Sequence, residues 1–166
     1  MKEIHLLTTS TGKSKEFFRL FDSINSQSIL DFDVKIFLHF LNQCGNVDIK
    51  SIENIHSNLV LNEIKTNSII GLSEARNLLI DYISPKKESI IGFPDDDCWY
   101  PEKFFFQLLS KKKLPVIMTN VFDPISINRY GTRSYKSKYN LSFLSSLKNA
   151  ISVNIFLDFD CISGIK

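Results

Sequence analysis

Three consecutive aspartates, Asp95, Asp96 and Asp97, follow the apolar run Ile90-Ile91-Gly92-Phe93-Pro94. Adjacent like charges repel, so each carboxylate needs a partner or water. One reading is a solvated acidic turn with one Asp as the N-cap of a following helix, whose N-terminus favours negative charge. The chemical reading is a divalent-cation site. Mg2+ and Mn2+ take carboxylate oxygens, usually one or two, together with waters and substrate phosphates. In extended backbone, residues i and i+2 face one side. Asp95 and Asp97 are therefore expected to address one cation while Asp96 faces elsewhere. In Gly71-Leu72-Ser73-Glu74-Ala75-Arg76-Asn77, Ser73 reads as an N-cap and Arg76 as either an exposed helix residue or a guanidinium beside an anionic ligand. The segment Ser10-Thr11-Gly12-Lys13-Ser14 invites a P-loop reading, but Leu7 occupies the position of that pattern's first glycine.

The elements that must position these residues alternate. Apolar runs over 4–8, 31–38 and 89–93 predict strands, with a weaker strand over 58–61. Phe17, Leu20, Phe21 and Ile24 recur at helical spacing, so residues 13–24 are expected to be a helix. A second helix is expected from Ser73 to Tyr82, with Pro85 beyond its end. A third is expected over 101–109, with proline in its first turn. Residues 116–119 read as a strand, 123–140 as a polar loop, 141–150 as a short helix or turn, and 155–157 with 161–162 as closing apolar segments. This order predicts an α/β layered fold with a mostly parallel central sheet. Ligands of such sheets bind at the carboxyl ends of the strands. Thr8-Thr9-Ser10-Thr11-Gly12 and Pro94-Asp95-Asp96-Asp97 both end strands there.

Composition bounds the rest. A chain of 166 residues amounts to roughly one domain at ~150 residues each, read here as a single unit over 1–166. A net charge of +2 argues against nucleic acid as the partner, since such domains carry clustered Lys and Arg. Cys44, Cys98 and Cys161 are odd in number and widely spaced, which argues against a disulfide framework or a structural zinc site and for a reducing compartment. No run reaches the ~18 apolar residues of a membrane span, and the N-terminus lacks the apolar region of a signal peptide. A cytoplasmic location is expected, with peripheral membrane contact left open.

The helix start Ser73-Glu74-Ala75-Arg76-Asn77, followed about twenty residues later by Asp95-Asp96-Asp97-Cys98-Trp99-Tyr100-Pro101, resembles inverting family-2 glycosyltransferases of the GT-A fold. Leu20-Phe21-Asp22-Ser23-Ile24, Gln27 and Asp31-Phe32-Asp33-Val34 are similar to that family's first helix and second strand, and Ile155-Phe156-Leu157 with Ile162-Ser163-Gly164 to its later segment. The resemblance implies a GT-A-like, Rossmann-type α/β/α fold and a nucleotide-sugar donor, a UDP-sugar first, with a glycan or lipid-linked sugar as acceptor. It implies that Asp95 and Asp97 hold Mn2+ or Mg2+ against the donor diphosphate, and that Asp96 lies nearer the ribose or sugar. Thr8, Thr9 and Ser10 would line the nucleotide side, and Arg76 the nucleotide and diphosphate.

Two departures from the family stand out. The second strand ends Phe37-Leu38-His39-Phe40-Leu41-Asn42, without the acidic residue that reads the base, so His39 or Asn42 would have to substitute. An inverting transferase also needs a carboxylate base. In the family that base lies beyond the region matching Ile162-Ser163-Gly164, so the resemblance implies a C-terminally truncated member whose acceptor-side portion is missing. Asp123, Asp158 and Asp160 do not match the base position, and the catalytic residue stays unassigned. Two alternatives remain. A nucleotidyltransferase or sugar-nucleotide pyrophosphorylase would need a Gly-rich first loop, and Thr8 to Gly12 has one glycine. A catalytically incomplete module would bind a nucleoside diphosphate without turnover.

Overall fold

A run of buried residues from Glu3 to Thr8 makes the first strand the centre of the sheet, as strands covered on both faces are in parallel sheets. In the computed structural model, which describes residues 2–12, 14–110, 116–118, 121–122, 129–130 and 155–158, this strand is β1 (Lys2–Ser10). It is followed by α1 (Ser14–Asn25), β2 (Val34–Gln43), β3 (Leu59–Thr66), α2 (Leu72–Tyr82), β4 (Ile90–Gly92) and α3 (Phe104–Ser110). The short strands β5 (Val116–Met118), β6 (Val121–Phe122), β7 (Arg129–Tyr130) and β8 (Ile155–Asp158) complete it.

The main sheet runs β3-β2-β1-β4-β8-β5. The first four strands are mutually parallel, and β8 runs antiparallel between β4 and β5. The expected α/β architecture with a mostly parallel sheet is the one found. Strand order reverses at β1: the chain steps outward through β2 and β3, then returns through α2 to place β4 on the other side of β1. The carboxyl ends of β1 and β4 therefore flank a topological switch point, where sheets of this kind open a crevice.

Side-chain alternation along β1 splits the core in two. Ile4 and Leu6, with Ile36, Leu38 and Phe40 of β2, pack against Phe17, Leu20, Phe21 and Ile24 of α1 and Phe105 and Leu108 of α3. Phe17 stacks on Phe40 with ring centroids 3.9 Å apart. On the opposite face Leu7, Leu41 and Ile91 meet Ala75 and Leu79 of α2 and Ile83. Gly92 is required by close approach: a Cβ there would lie 2.7 Å from the Phe156 ring and 3.2 Å from Leu6.

Several expected boundaries move. A 3-10 turn at Ser28–Asp31 occupies the residues where the second strand was expected to begin, so β2 starts at Val34 and runs on to Gln43. The cap of α2 is Gly71, without a side-chain cap hydrogen bond, so Ser73 lies inside the helix rather than capping it. Residues 101–103 form a turn closed by Phe104 N–H to Pro101 O (2.9 Å), which delays α3 to Phe104. No Asp of the 95–97 cluster caps that helix, because it starts seven residues after Asp97. Arg129–Tyr130, expected within a loop, pairs with Val121–Phe122 as a small hairpin sheet. The expectations for 141–150 and 161–162, and the residues Thr119, Asp123 and Asp160, lie outside the described residues.

Gln27 ties α1 to the segment after the aspartates. It is buried, its Nε2 donates to Ser23 O (2.8 Å) and Pro101 O (2.8 Å), and its Oε1 accepts from Phe105 N–H (3.4 Å). Gln27→Ala would strand these buried main-chain groups, and the expected loss is about 2 kcal/mol of stability. Urea unfolding checks it; a change below about 0.5 kcal/mol would show that Gln27 is dispensable.

Candidate functional site

The switch point gathers the residues singled out from sequence. Thr8, Thr9 and Ser10 close β1, and Phe93 to Asp97 leave β4, its parallel neighbour. Arg76, in the second turn of α2, reaches across so that its Nη2 lies 3.0 Å from Asp95 Oδ1, as a half-buried ion pair. The guanidinium also lies 5.8 Å from the centre of the Phe93 ring. The pairing of Arg76 with the acidic segment, 19 residues apart in sequence at Asp95, is thus a direct contact.

The three aspartates lie in a turn rather than in a strand. The strand ends at Gly92, and a turn at Asp96 and Asp97 is closed by Cys98 N–H to Asp95 O (3.2 Å). Extended geometry, the premise for placing Asp95 and Asp97 on one side, is interrupted by the turn at Asp96 and Asp97. Asp95 and Asp96 are partly buried and Asp97 is exposed. Burial pushes the Asp95 carboxyl up from its ordinary value. Arg76 pulls it back down, while the charges of Asp97 and Asp96 push the same way as burial. A carboxylate whose charge is costly in this way gains from a nearby cation. Among the described residues no group of three or more His, Cys, Asp or Glu side chains is arranged to hold a metal. A Mg2+ or Mn2+ ion needs only one or two carboxylates when substrate phosphates and water supply its other oxygens. Asp95, partly buried and paired with Arg76, supplies one such carboxylate.

The β1 residues play unequal parts. Thr8 and Ser10 share the α1 face with Ile4 and Leu6, whereas Thr9 shares the α2 face with Leu7. Thr9 Oγ1 donates to Leu41 O (3.2 Å) and accepts from Gln43 Nε2 (2.7 Å), while Gln43 Oε1 accepts from Ile70 N–H (2.7 Å). Thr9 and Gln43 thereby anchor the lead-in to α2, and hence the helix that carries Arg76. Ser10 Oγ accepts from Gly12 N–H (3.3 Å) and shapes the loop. Thr8 Oγ1 is buried with no hydrogen-bond partner.

Asn42 and His39 are committed to the fold rather than exposed to a base. Asn42 Nδ2 donates to Val47 O (2.7 Å) and Glu63 Oε1 (2.6 Å), and Asn42 Oδ1 accepts from Val47 N–H (3.2 Å), which organises the turn after β2. His39 Nε2 lies 3.0 Å from His5 Nδ1 inside the α2 layer. Burial pushes the Cys98 thiol up to about 12, opposed in part by the adjacent Tyr100 hydroxyl. Sequence reasoning missed Arg19, whose Nη2 donates to the carbonyl of Asp97, and Ser23, whose Oγ accepts from Tyr100 N–H (3.1 Å). Their signal was available: Arg19, Ser23 and Gln27 recur every four residues beside the apolar stripe of Phe17, Leu20, Phe21 and Ile24.

No protein-family model and no curated protein sequence matches the chain. Its fold is shared with solved structures of S. aureus TarS. The crystal structure of TarS 1–349 superposes with a TM-score of 0.53 at 12% identity, covering 98% of this chain and 48% of that one. The same fragment in complex with UDP-GlcNAc gives 0.51 at 15% identity, over 66% of this chain and 30% of that one. The chain thus spans less than half the length of these TarS chains. The likeness is one of architecture, a GT-A-like α/β arrangement. Among the described residues no helix is long and apolar enough to cross a membrane.

Proposed function

We propose that this chain is the nucleotide-sugar-binding part of a metal-dependent, inverting glycosyltransferase, with a UDP-sugar as donor and a glycan or lipid-linked sugar as acceptor. One observation carries the reading: the Arg76–Asp95 pair stands at the sheet's switch point, beside the carboxyl end of β1. Cation and carboxylate side by side suit a ligand that is itself a metal-bound polyanion. Arg76 would take a diphosphate oxygen, for which a planar guanidinium is well shaped. Asp95 and Asp97 would hold Mg2+ or Mn2+, which as a Lewis acid stabilises charge on a departing nucleoside diphosphate. Asp96 would face the ribose or sugar. Thr8, Thr9 and Ser10 would bound the nucleotide side, the Thr8 hydroxyl being without a hydrogen-bond partner and the Ser10 hydroxyl accepting from Gly12 N–H. The shared architecture with TarS, crystallised with UDP-GlcNAc, supports UDP as the first nucleotide to test.

The test is calorimetric titration of the purified chain with UDP, with and without Mn2+. Binding that requires the metal is the expected result. Equal binding in EDTA would remove the metal from the reading. Absence of binding to UDP, GDP and CDP alike would remove the donor site.

A further inference from the structure

The acidic turn is held from two sides. From the α2 face Arg76 pairs with the Asp95 carboxylate, and from the α1 face Arg19 donates to the Asp97 main-chain carbonyl. Arg19 is the outermost member of a polar stripe spaced by four residues. Next along it, Ser23 Oγ accepts from Tyr100 N–H, and Gln27, two residues past the helix end, holds the carbonyls of Pro101 and Tyr100 and the N–H of Phe105. Helix residues four apart lie on one face, so the stripe follows the main chain from Asp97 to Phe105. Its inner members differ from Arg19 in kind: Gln27 is buried, and its bonds close the core, whereas Arg19 is exposed. A long side chain that folds over a carbonyl at the protein surface adds little to global stability. It does restrict the one peptide that joins Asp97 to Cys98.

We infer that Arg19 is a positioning residue for the donor site: by holding the Asp97 carbonyl it fixes the turn that aims the carboxylates of Asp95 and Asp97. The inference rests on the donor-site reading for its consequence in binding, but the restraint itself has a separate readout. Trp99, the sole tryptophan, lies two residues past Asp97 and is half exposed, so its fluorescence reports on the turn.

Arg19→Ala and Arg19→Lys should be compared with the unaltered chain by acrylamide quenching of Trp99, thermal unfolding, and Mn2+-dependent UDP titration. In Arg19→Ala, Trp99 should become more accessible to quencher while the midpoint of unfolding moves by no more than about 2 °C. UDP affinity should fall about tenfold, the worth of a charge-assisted hydrogen bond. Lysine should recover only part of that affinity, because a point charge does not reproduce the guanidinium fork. Unchanged quenching in Arg19→Ala would overturn the inference, and so would an affinity loss that merely tracks a large drop in thermal stability. If the unaltered chain binds none of UDP, GDP and CDP, the donor reading fails, and Trp99 quenching alone then decides whether Arg19 holds the turn.

Discussion

Asp95→Asn is expected to weaken Mn2+-dependent UDP binding by about two orders of magnitude. Two effects act in one direction. Asparagine keeps the size of the side chain but removes the charge that a hard cation requires. It also leaves Arg76 without the carboxylate now 3.0 Å away. The fold should tolerate the change, because burial already disfavours the charged form of Asp95, and the turn itself is closed by main-chain groups. Asp97→Asn should weaken binding less, by about tenfold, since Asp97 is exposed and its held group is a carbonyl rather than its carboxylate. Calorimetry of both variants with and without Mn2+ separates the contributions. An Asp95→Asn protein that binds UDP and Mn2+ as tightly as the parent would dismiss Asp95 as a ligand. Combining Asp95→Asn with Arg76→Gln then tests coupling: if the ion pair and the diphosphate share one site, the two losses will not add.

What could be read from the residues alone follows a physical divide. Phe17, Leu20, Phe21 and Ile24 announce α1 because an apolar stripe at helical spacing must be buried, and all four are. Burial of β1 was legible in its short apolar run Ile4-His5-Leu6-Leu7, interrupted only by His5, and the site was legible because costly carboxylates follow a buried strand. The burial of His39, Asn42 and Gln43 at the end of β2 was not legible. These polar side chains look like a strand ending, and they are tolerated inside only because each finds a partner on another element: His5, Val47 and Glu63, or Thr9 and Ile70. Apart from Val47, five residues on from Asn42, these partners lie 21 or more residues away, and no local pattern encodes them. The antiparallel insertion of β8 between β4 and β5 was hidden for the same reason. The bend at Asp96 and Asp97 defeated the alternation rule because the strand had already ended at Gly92. The site's residues were thus readable as types, while their aim depends on a turn held by Arg19 and Arg76 from elements far away in sequence.

The buried imidazoles of β1 and β2 set the protein's response to acid. A polar row crosses the α2 side of the sheet. Lys86 Nζ lies 2.6 Å from Glu3 Oε1, Glu3 Oε2 lies 3.5 Å from His5 Nε2, His5 Nδ1 lies 3.0 Å from His39 Nε2, and His39 Nδ1 lies 3.5 Å from Asn62 Nδ2. With Asn62 donating, the partners are consistent when His39 donates to His5 and His5 points its N–H at Glu3. A proton added to either ring would then face another donor. Burial, and next the neighbouring His5, lowers His39 to about 4. His5 is also lowered, chiefly by burial, with Glu3 opposing and Lys86 assisting. The unfolded chain takes up a proton at His39 near pH 6.5, whereas the folded chain resists until about 4. Stability from the neutral ring is therefore fully present above about pH 6.5 and is lost as pH falls toward 4, a decline of about 3 kcal/mol from His39. Urea midpoints from pH 7 to 4 should show this fall beyond that of the carboxylates, and His39→Gln should flatten it. A parent and a His39→Gln variant with parallel pH profiles would show that His39 titrates normally in the fold. If the profiles diverge as expected, Glu3 becomes the group to watch. It is a buried carboxylate 3.5 Å from His5 Nε2, and Lys86 already occupies its other oxygen.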